Sequence, residues 1–261
     1  VRTRHLFLPL KRSGLNFVHY LTDCVFSLGE IMRTMLVMEC GFPPERVVSI
    51  PTGIDFGRFK PTRERESVRS ELGIAPDEFF ILIVGVIRGV KKHDVALRAF
   101  RQVLDQFPQA RLVLAGDGPM RQEIEQLAAE LQLGANMLFL GHRDDVADLM
   151  NAADVLLLTS RSEAQSQALT QGAGLGLPIV ATRVGGVPEV VLHEETGLLA
   201  AAGDEPAIAA ALLRMAQNRA WAKSLGEHGK VHALANYSLE AMLGKTEQAY
   251  ARLIQQRTEQ A

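Results

Sequence analysis

From Phe79 onward, blocks of continuous apolar residues alternate with stretches whose apolar positions recur at helical spacing. The blocks FFILIVGV, RLVLAG, MLFLG, DVLLLTS and PIVAT, with a last short GLLA, have the length and residue types of strands. Between the first two lies HDVALRAFRQVLDQF, with Ala96, Ala99, Phe100, Val103, Leu104 and Phe107 on one helical face. PMRQEIEQLAAELQL follows RLVLAG and puts Met120, Ile124, Leu127, Ala128 and Leu131 on one face. Pro119 suits the first turn of that helix. DDVADLMNAA reads as a short helix, and SQALTQGAGLG as another with Ser166 as its cap. Strands this short and this uniformly apolar belong to a parallel sheet covered on both faces. Strict alternation with helices predicts an α/β, doubly wound, Rossmann-like domain.

Beyond Asp204 the pattern is helical throughout: EPAIAAALLRMAQN, RAWAKSLGEHGKVHALANY and SLEAMLGKTEQAYARLIQQR. These are packing helices, the last free to lie over another domain. Before Phe79 the signal is thinner. DCVFSLGEIMRTMLVMECGF reads as strand, polar turn and helix, and RVVSI as a further strand before a Pro/Gly-rich stretch. One or two such units do not close a sheet, so residues 1–50 read as the tail of a domain whose beginning is absent. No internal repeat or low-complexity tract interrupts the chain.

Composition narrows the classes. The chain has 261 residues, 47% of them hydrophobic, so a core is affordable and disorder is not expected. A net charge of −2 supplies no long-range field for nucleic acid or an anionic membrane. The two cysteines, Cys24 and Cys40, fit reduced thiols in a cytoplasmic protein. No apolar stretch reaches the ~18–20 residues of a membrane span, and no signal peptide is visible.

In parallel α/β sheets ligands bind beyond the carboxyl ends of the strands. The polar residues that follow strands are therefore the candidates: Arg88 and Lys91, Asp117, His142 and Arg143, Glu163 to Ser166, and the turn VGGVPE. EAQSQALTQ stands out, with a carboxylate and an amide eight positions apart across a predicted helix start. That reach suits two groups gripping opposite ends of one extended ligand better than an acid/base pair on one bond. Gly172, Gly174 and Gly176 are costly in a helix and imply close approach to the sheet or to a ligand. Gly116-Asp117-Gly118 reads equally as a plain tight turn or as part of a site. The histidines outside His142, namely His5, His19, His93, His193, His228 and His232, lack metal-ligand spacing, so no metal site is expected. Trp221 reads as packing.

Several of these stretches resemble, in order, the motifs of family-4 retaining glycosyltransferases, whose fold is the two-domain GT-B arrangement. SIPTGIDFGRFKP is similar to the family's hinge, VGVIRGVKKHDVALRAF to its first strand–loop–helix, and LVLAGDGPMRQEIEQLAAEL to its second. SRSEAQSQALTQGAGLGLPIVATRVGGVPEVV resembles its paired-acid region, and TGLLAAAGD its last short strand. The resemblance spans about residues 20–255. It implies three parts: residues 1–55 as the end of an acceptor-binding domain and hinge, 56–235 as a nucleotide-sugar-binding domain, and 236–261 as a C-terminal helix packing back toward the first domain.

The resemblance also assigns roles. Lys91 aligns with the phosphate-binding lysine. The family's arginine position is Val86 here, and Arg88 is placed to supply that charge from two residues on. Glu163 aligns with the first acid, at the sugar hydroxyls, and Gln171 replaces the second acid, at the ribose. Ala164, Gln165, Ser166 and Gln167 would offer backbone N–H groups to sugar and diphosphate, and the helix after Ser166 its positive end. His142 and Arg143 would meet the base through their backbone, with Gly116 and Asp117 nearby. Gly185 and Gly186 would line the cleft, and Glu189 would be structural. The family's catalytic histidine of the N-terminal domain has no counterpart.

What the resemblance implies is transfer of a sugar from a nucleotide diphosphate donor, UDP or GDP, to a saccharide or lipid-linked acceptor. The setting would be surface polysaccharide, lipopolysaccharide or glycolipid assembly. No separate cofactor and no nucleic acid partner are expected. A cytoplasmic location is expected, with peripheral association at the inner membrane face open through the missing N-terminal domain. A module that binds a nucleotide-sugar without turning it over is the alternative, given Val86 and Gln171. A sugar-nucleotide epimerase is the third reading.

Overall fold

The computed structural model of the chain describes residues 2–4 and 22–260. Two parallel sheets organise them. The first contains β1 (Arg2–Arg4), β2 (Val25–Ser27) and β3 (Val47–Ser49), in that order. Helix α1 (Glu30–Met38) joins β2 to β3 and buries Met32, Met35 and Leu36. The strand β1 has no apolar signal in the sequence and was not expected.

The second sheet has six strands: β4 (Phe79–Val84), β5 (Ala110–Ala115), β6 (Met137–Gly141), β7 (Val155–Leu158), β8 (Ile179–Thr182) and β9 (Leu198–Ala200). Their order is β6-β5-β4-β7-β8-β9, all parallel. The expected apolar runs are these strands. Phe79, Ile81 and Ile83 enter one core and Phe80 and Leu82 the other, so both faces are buried. The strand order reverses between β4 and β7, which is where such sheets open a crevice at their carboxyl edge.

Helix α2 (Arg65–Glu71) precedes β4, and α3 (His93–Gln106) and α4 (Arg121–Glu130) follow β4 and β5. Helix α5 (Val146–Ala152) follows β6, α6 (Gln167–Gly174) follows β7, and a single turn, α7 (Val187–Val190), follows β8. Helix α3 buries Ala96, Ala99, Phe100, Val103 and Leu104 as its pattern predicts. One local expectation fails, and one helix is an addition. Pro119 lies in the turn before α4, which begins at Arg121, because Met120 N–H turns back to the Ile87 carbonyl at 3.2 Å. Helix α2 was not expected, because one of its two buried residues is a charge. Arg69, 3% exposed, donates to the carbonyls of Ala152, Ala75 and Glu78 and to Asp154.

After β9 the chain is helical: α8 (Glu205–Gln217), α9 (Arg219–Tyr237) and α10 (Leu239–Gln260). Helices α8 and α9 cover the second sheet. Helix α10 returns to the first sheet, where Ala249 joins Cys24, Phe26 and Ile50, and Tyr250 meets Phe26 edge-on at 6.0 Å. The chain thus crosses between sheets twice, and the crossings are bonded to each other. Ile54 N–H donates to the Tyr237 carbonyl at 2.8 Å, and Leu239 N–H to Ile54 at 3.0 Å. Among the described residues no helix is long and apolar enough to cross a membrane.

Candidate functional site

The loops beyond β4 and β7 are tied together at the reversal. After β4 the chain makes one tight helical turn, Gly89–Lys91, entered from Arg88 in extended conformation. Lys92 then adopts a left-handed φ of 53° and starts α3. The β7 loop grips this turn. Thr159 Oγ1 donates to the Lys91 and Lys92 carbonyls at 3.1 and 2.9 Å, and Arg161 N–H to the Val90 carbonyl at 2.8 Å.

Two side chains meet across that junction. Lys91 Nζ lies 2.6 Å from Glu163 Oε1. The same oxygen accepts from Ser160 Oγ at 2.6 Å. The Ser160 hydroxyl is fully buried, and its main chain is fixed in turn by Thr182 Oγ1, which donates to the Ser160 carbonyl at 2.6 Å. The Glu163 side chain is 11% exposed and that of Lys91 23%, so the pair sits in a partly dehydrated place where charge counts for more than at the surface.

The backbone of Glu163 is held from the other side by the turn after β8. Gly186 N–H donates to the Glu163 carbonyl at 3.0 Å. A Cβ on Gly185 would come within 1.8 Å of that carbonyl oxygen, and one on Gly186 within 2.2 Å of the Ala164 oxygen. The pair Gly185-Gly186 therefore lines the Glu163 loop because no side chain fits there.

Helix α6 begins as expected. Ser166, buried, accepts from Leu169 N–H at 3.5 Å, a long cap bond. Gly172 approaches Leu156 of the sheet, and Gly174 lies under the Phe56 ring, whose nearest atom would be 2.0 Å from an added Cβ. Gly176 is no close approach; it is a left-handed turn at φ 79°. Gln171 is half-buried on α6, and no described residue hydrogen-bonds its side chain. Gln167 is exposed at the helix start, and Ala164 packs on the core of the first sheet.

The remaining candidates occupy neighbouring strand ends. Ile87 N–H donates to the Asp117 carbonyl at 2.9 Å, and Gly116 N–H to the Gly141 carbonyl at 2.7 Å, so the ends of β4, β5 and β6 are joined. The Asp117 carboxylate accepts from Gly118 N–H at 2.7 Å. His142 is exposed, 3.3 Å from Asp144. The Arg143 side chain is committed to Asp145 and Glu71, at 2.5 and 3.1 Å. Arg88 is exposed and has no carboxylate partner among the described residues. Lys91 and Glu163 are thus brought into contact. Asp117, His142 and Arg143 stand on adjoining loops.

Four residues near the site carry roles the sequence does not reveal. Ser160 and Thr182 are buried hydroxyls behind Glu163. Gln165 pairs its amide with the Thr52 backbone, accepting from N–H at 2.8 Å and donating to the carbonyl at 3.1 Å. Glu189 reaches the first sheet's helix, accepting from Glu30 and Ile31 N–H at 2.9 and 2.8 Å at the start of α1. The structural role expected of Glu189 is thus that of a cap for α1. His232 Nε2 and Tyr237 Oη lie 2.8 and 2.7 Å from the Glu189 carbonyl oxygen. A cavity of about 580 Å³ adjoins this joint, with Glu30, Glu189, Lys245 and Arg252 in its walls.

Among the described residues no cluster of His, Cys, Asp and Glu could hold a metal ion. His93 at the start of α3 is buried and unlinked to any such group. Burial, and then the Lys91 charge, push its pKa down to about 4, against a smaller opposing effect of Asp94. His5 and His19 lie outside the described residues.

Comparison with known proteins places the chain in a family. The sequence profile of the family described as "Glycosyl transferases group 1" matches residues 64–232. N-acetyl-alpha-D-glucosaminyl L-malate synthase of Bacillus anthracis is 30% identical over 188 residues, 72% of this chain and 49% of that protein. D-inositol 3-phosphate glycosyltransferase of Streptomyces bingchenggensis is 29% identical over 227 residues, 83% of this chain and 50% of that one. The chain spans about half the length of the curated relatives it matches. Anabaena HepE, solved with UDP and glucose, superimposes with a TM-score of 0.85 at 21% identity, over 97% of this chain and 70% of that one. That likeness establishes the two-sheet GT-B architecture. The chain belongs to the glycosyl transferases group 1 family.

Proposed function

We propose that this member of the group 1 glycosyl transferases is the donor-binding part of a family-4 retaining enzyme. It transfers a sugar from a nucleotide diphosphate-sugar to a saccharide or lipid-linked acceptor. One observation carries the reading: Lys91 and Glu163, from loops either side of the strand reversal, meet at 2.6 Å where this sheet type binds nucleotides.

The chemistry needs those two groups. As the glycosidic bond breaks, negative charge grows on the departing diphosphate, and a cation already in place there stabilises it without reorganising. Lys91 has three N–H donors and spends one on Glu163, so it can bridge the carboxylate and a phosphate oxygen. Arg88 adds a second, uncommitted charge. Helix α6 starts four residues after Glu163, and in this reading its positive end and the first-turn N–H groups not capped by Ser166 serve the diphosphate. Glu163 accepts from the sugar, and Gln171, a turn and more along α6, is assigned to the ribose. The base would lie against the backbone at Gly116, Asp117, His142 and Arg143.

HepE was solved with UDP and glucose, and this supports a UDP-sugar ahead of a GDP-sugar. Assembly of a surface polysaccharide or glycolipid in the cytoplasm, at the inner face of the membrane, is the setting proposed. Val86, 43% exposed where the family places arginine, favours one second reading: a module that holds the nucleotide-sugar without turnover. Donor hydrolysis by the complete protein separates the two. It should fall by about 100-fold or more in Lys91→Ala and in Glu163→Ala. Parent-like turnover in both variants would remove the assignment, and no turnover in the parent would favour the binding module.

A further inference from the structure

The two oxygens of Glu163 are not equivalent. Oε1 accepts from both Lys91 Nζ and Ser160 Oγ, each at 2.6 Å. A carboxylate oxygen has two lone pairs, so Oε1 is full. No described residue donates to Oε2, which is nevertheless not sealed from solvent. The exposure the side chain keeps is therefore open to a ligand through Oε2.

Ser160 enforces this asymmetry. It is 0% exposed, and Glu163 Oε1 is the acceptor of its hydroxyl. Breaking that bond would leave a buried donor unmet, which disfavours the alternative arrangement. Thr182 holds the Ser160 carbonyl, so the serine cannot swing away with its main chain. Carboxylates that grip a vicinal diol commonly use one oxygen per hydroxyl. With Oε1 taken, Glu163 has a single oxygen to offer.

We propose that Ser160 is a positioning residue: by occupying Oε1 it makes Glu163 a reader of one donor-sugar hydroxyl through Oε2. The inference rests on the nucleotide-sugar reading above and deepens it. The site then discriminates sharply at one sugar carbon. It tolerates deoxygenation or inversion at the neighbouring carbon, because no second carboxylate oxygen is spent there. Ser160 touches neither nucleotide nor sugar, so its effect is confined to the sugar's share of affinity.

The test is calorimetric titration of this chain with UDP, GDP and their glucose, galactose, mannose and N-acetylglucosamine conjugates. The best binder is then repeated as its mono-deoxy analogues. The parent chain should bind one sugar conjugate tighter than its free nucleotide, and one mono-deoxy analogue should lose about tenfold of that affinity. In Ser160→Ala, nucleotide affinity should stay within about twofold while most of the sugar increment and the sensitivity to that deoxy position disappear. Ser160→Cys, which keeps the volume and offers a weaker donor, should fall between. It carries the test if the alanine variant does not fold.

An undiminished sugar increment in the serine variants would overturn the inference and leave the donor reading standing. So would a loss of nucleotide affinity as large as the loss for the sugar. Failure of the folded parent to bind any of these nucleotides would instead overturn the donor reading on which the inference rests.

Discussion

Lys91 and Glu163 stand 72 positions apart in sequence and 2.6 Å apart in space. Each is the partner that makes the other's partial burial tolerable. Removing one leaves a charge with little water around it, which costs more than an exposed pair would. Lys91→Ala should lower the unfolding free energy of the chain by about 1–3 kcal/mol in urea titration. Lys91→Ala combined with Glu163→Ala should lose less than the sum of the two single changes. Additive losses would mean that the pair contributes nothing as a pair.

His93 predicts how stability depends on pH. Its unfolded imidazole titrates near 6.5 and its folded one near 4, chiefly because it is buried and secondarily because Lys91 is close. Between those values the unfolded chain binds the proton and the folded chain does not, so stability rises with pH. The His93 contribution is complete above about pH 6.5 and is lost as pH falls toward 4, by about 3 kcal/mol in all. Urea midpoints of parent and His93→Gln across this range should converge at acid pH; parallel curves would exclude His93 as the cause.

Lys92 holds φ at 53°, a conformation that suits glycine, and its ammonium pairs with Asp94 on the half-exposed surface at 2.9 Å. Lys92→Gly should remove about 1 kcal/mol of backbone strain and give up a surface pair of lesser worth. The thermal midpoint should rise by about 2 °C. A lower midpoint would show that the pair with Asp94 outweighs the strain.

Gln171 is an amide where the family motif has an acid. No described residue binds its side chain. Gln171→Glu should leave the fold unchanged and keep or tighten nucleotide binding, since bonds from ribose hydroxyls to a charged acceptor are about twice as strong. A large loss of UDP affinity by calorimetry would place Gln171 away from the ribose.

The second sheet was legible because each of its strands is an apolar run and each run is flanked by a helical pattern or a turn. Phe79 to Val84 states its double burial in its own letters. Helix α2 was not legible, because Arg69 reads as solvent-facing and its four acceptors come from residues up to 85 positions away. The contact of Lys91 with Glu163 follows once the strand order is known, since both stand at the reversal. The pairing of Gln165 with Thr52 and of Glu189 with α1 does not follow from the local pattern. Those partners are 113 and about 159 positions distant and are main-chain groups without sequence identity. Ser160 was hidden for a related reason: a serine at a strand end is ordinary punctuation until a carboxylate is seen against it.

The central claim, that Lys91 and Glu163 form a nucleotide-sugar site with separate tasks, is tested most directly by calorimetry on three chains: parent, Lys91→Ala and Glu163→Ala. Each is titrated with UDP and then with the UDP-sugar that the parent binds best. The account predicts that Lys91→Ala weakens UDP itself by about tenfold or more. It predicts that Glu163→Ala keeps UDP affinity within about threefold and loses the added affinity of the sugar. Parent-like UDP binding by folded Lys91→Ala would contradict it.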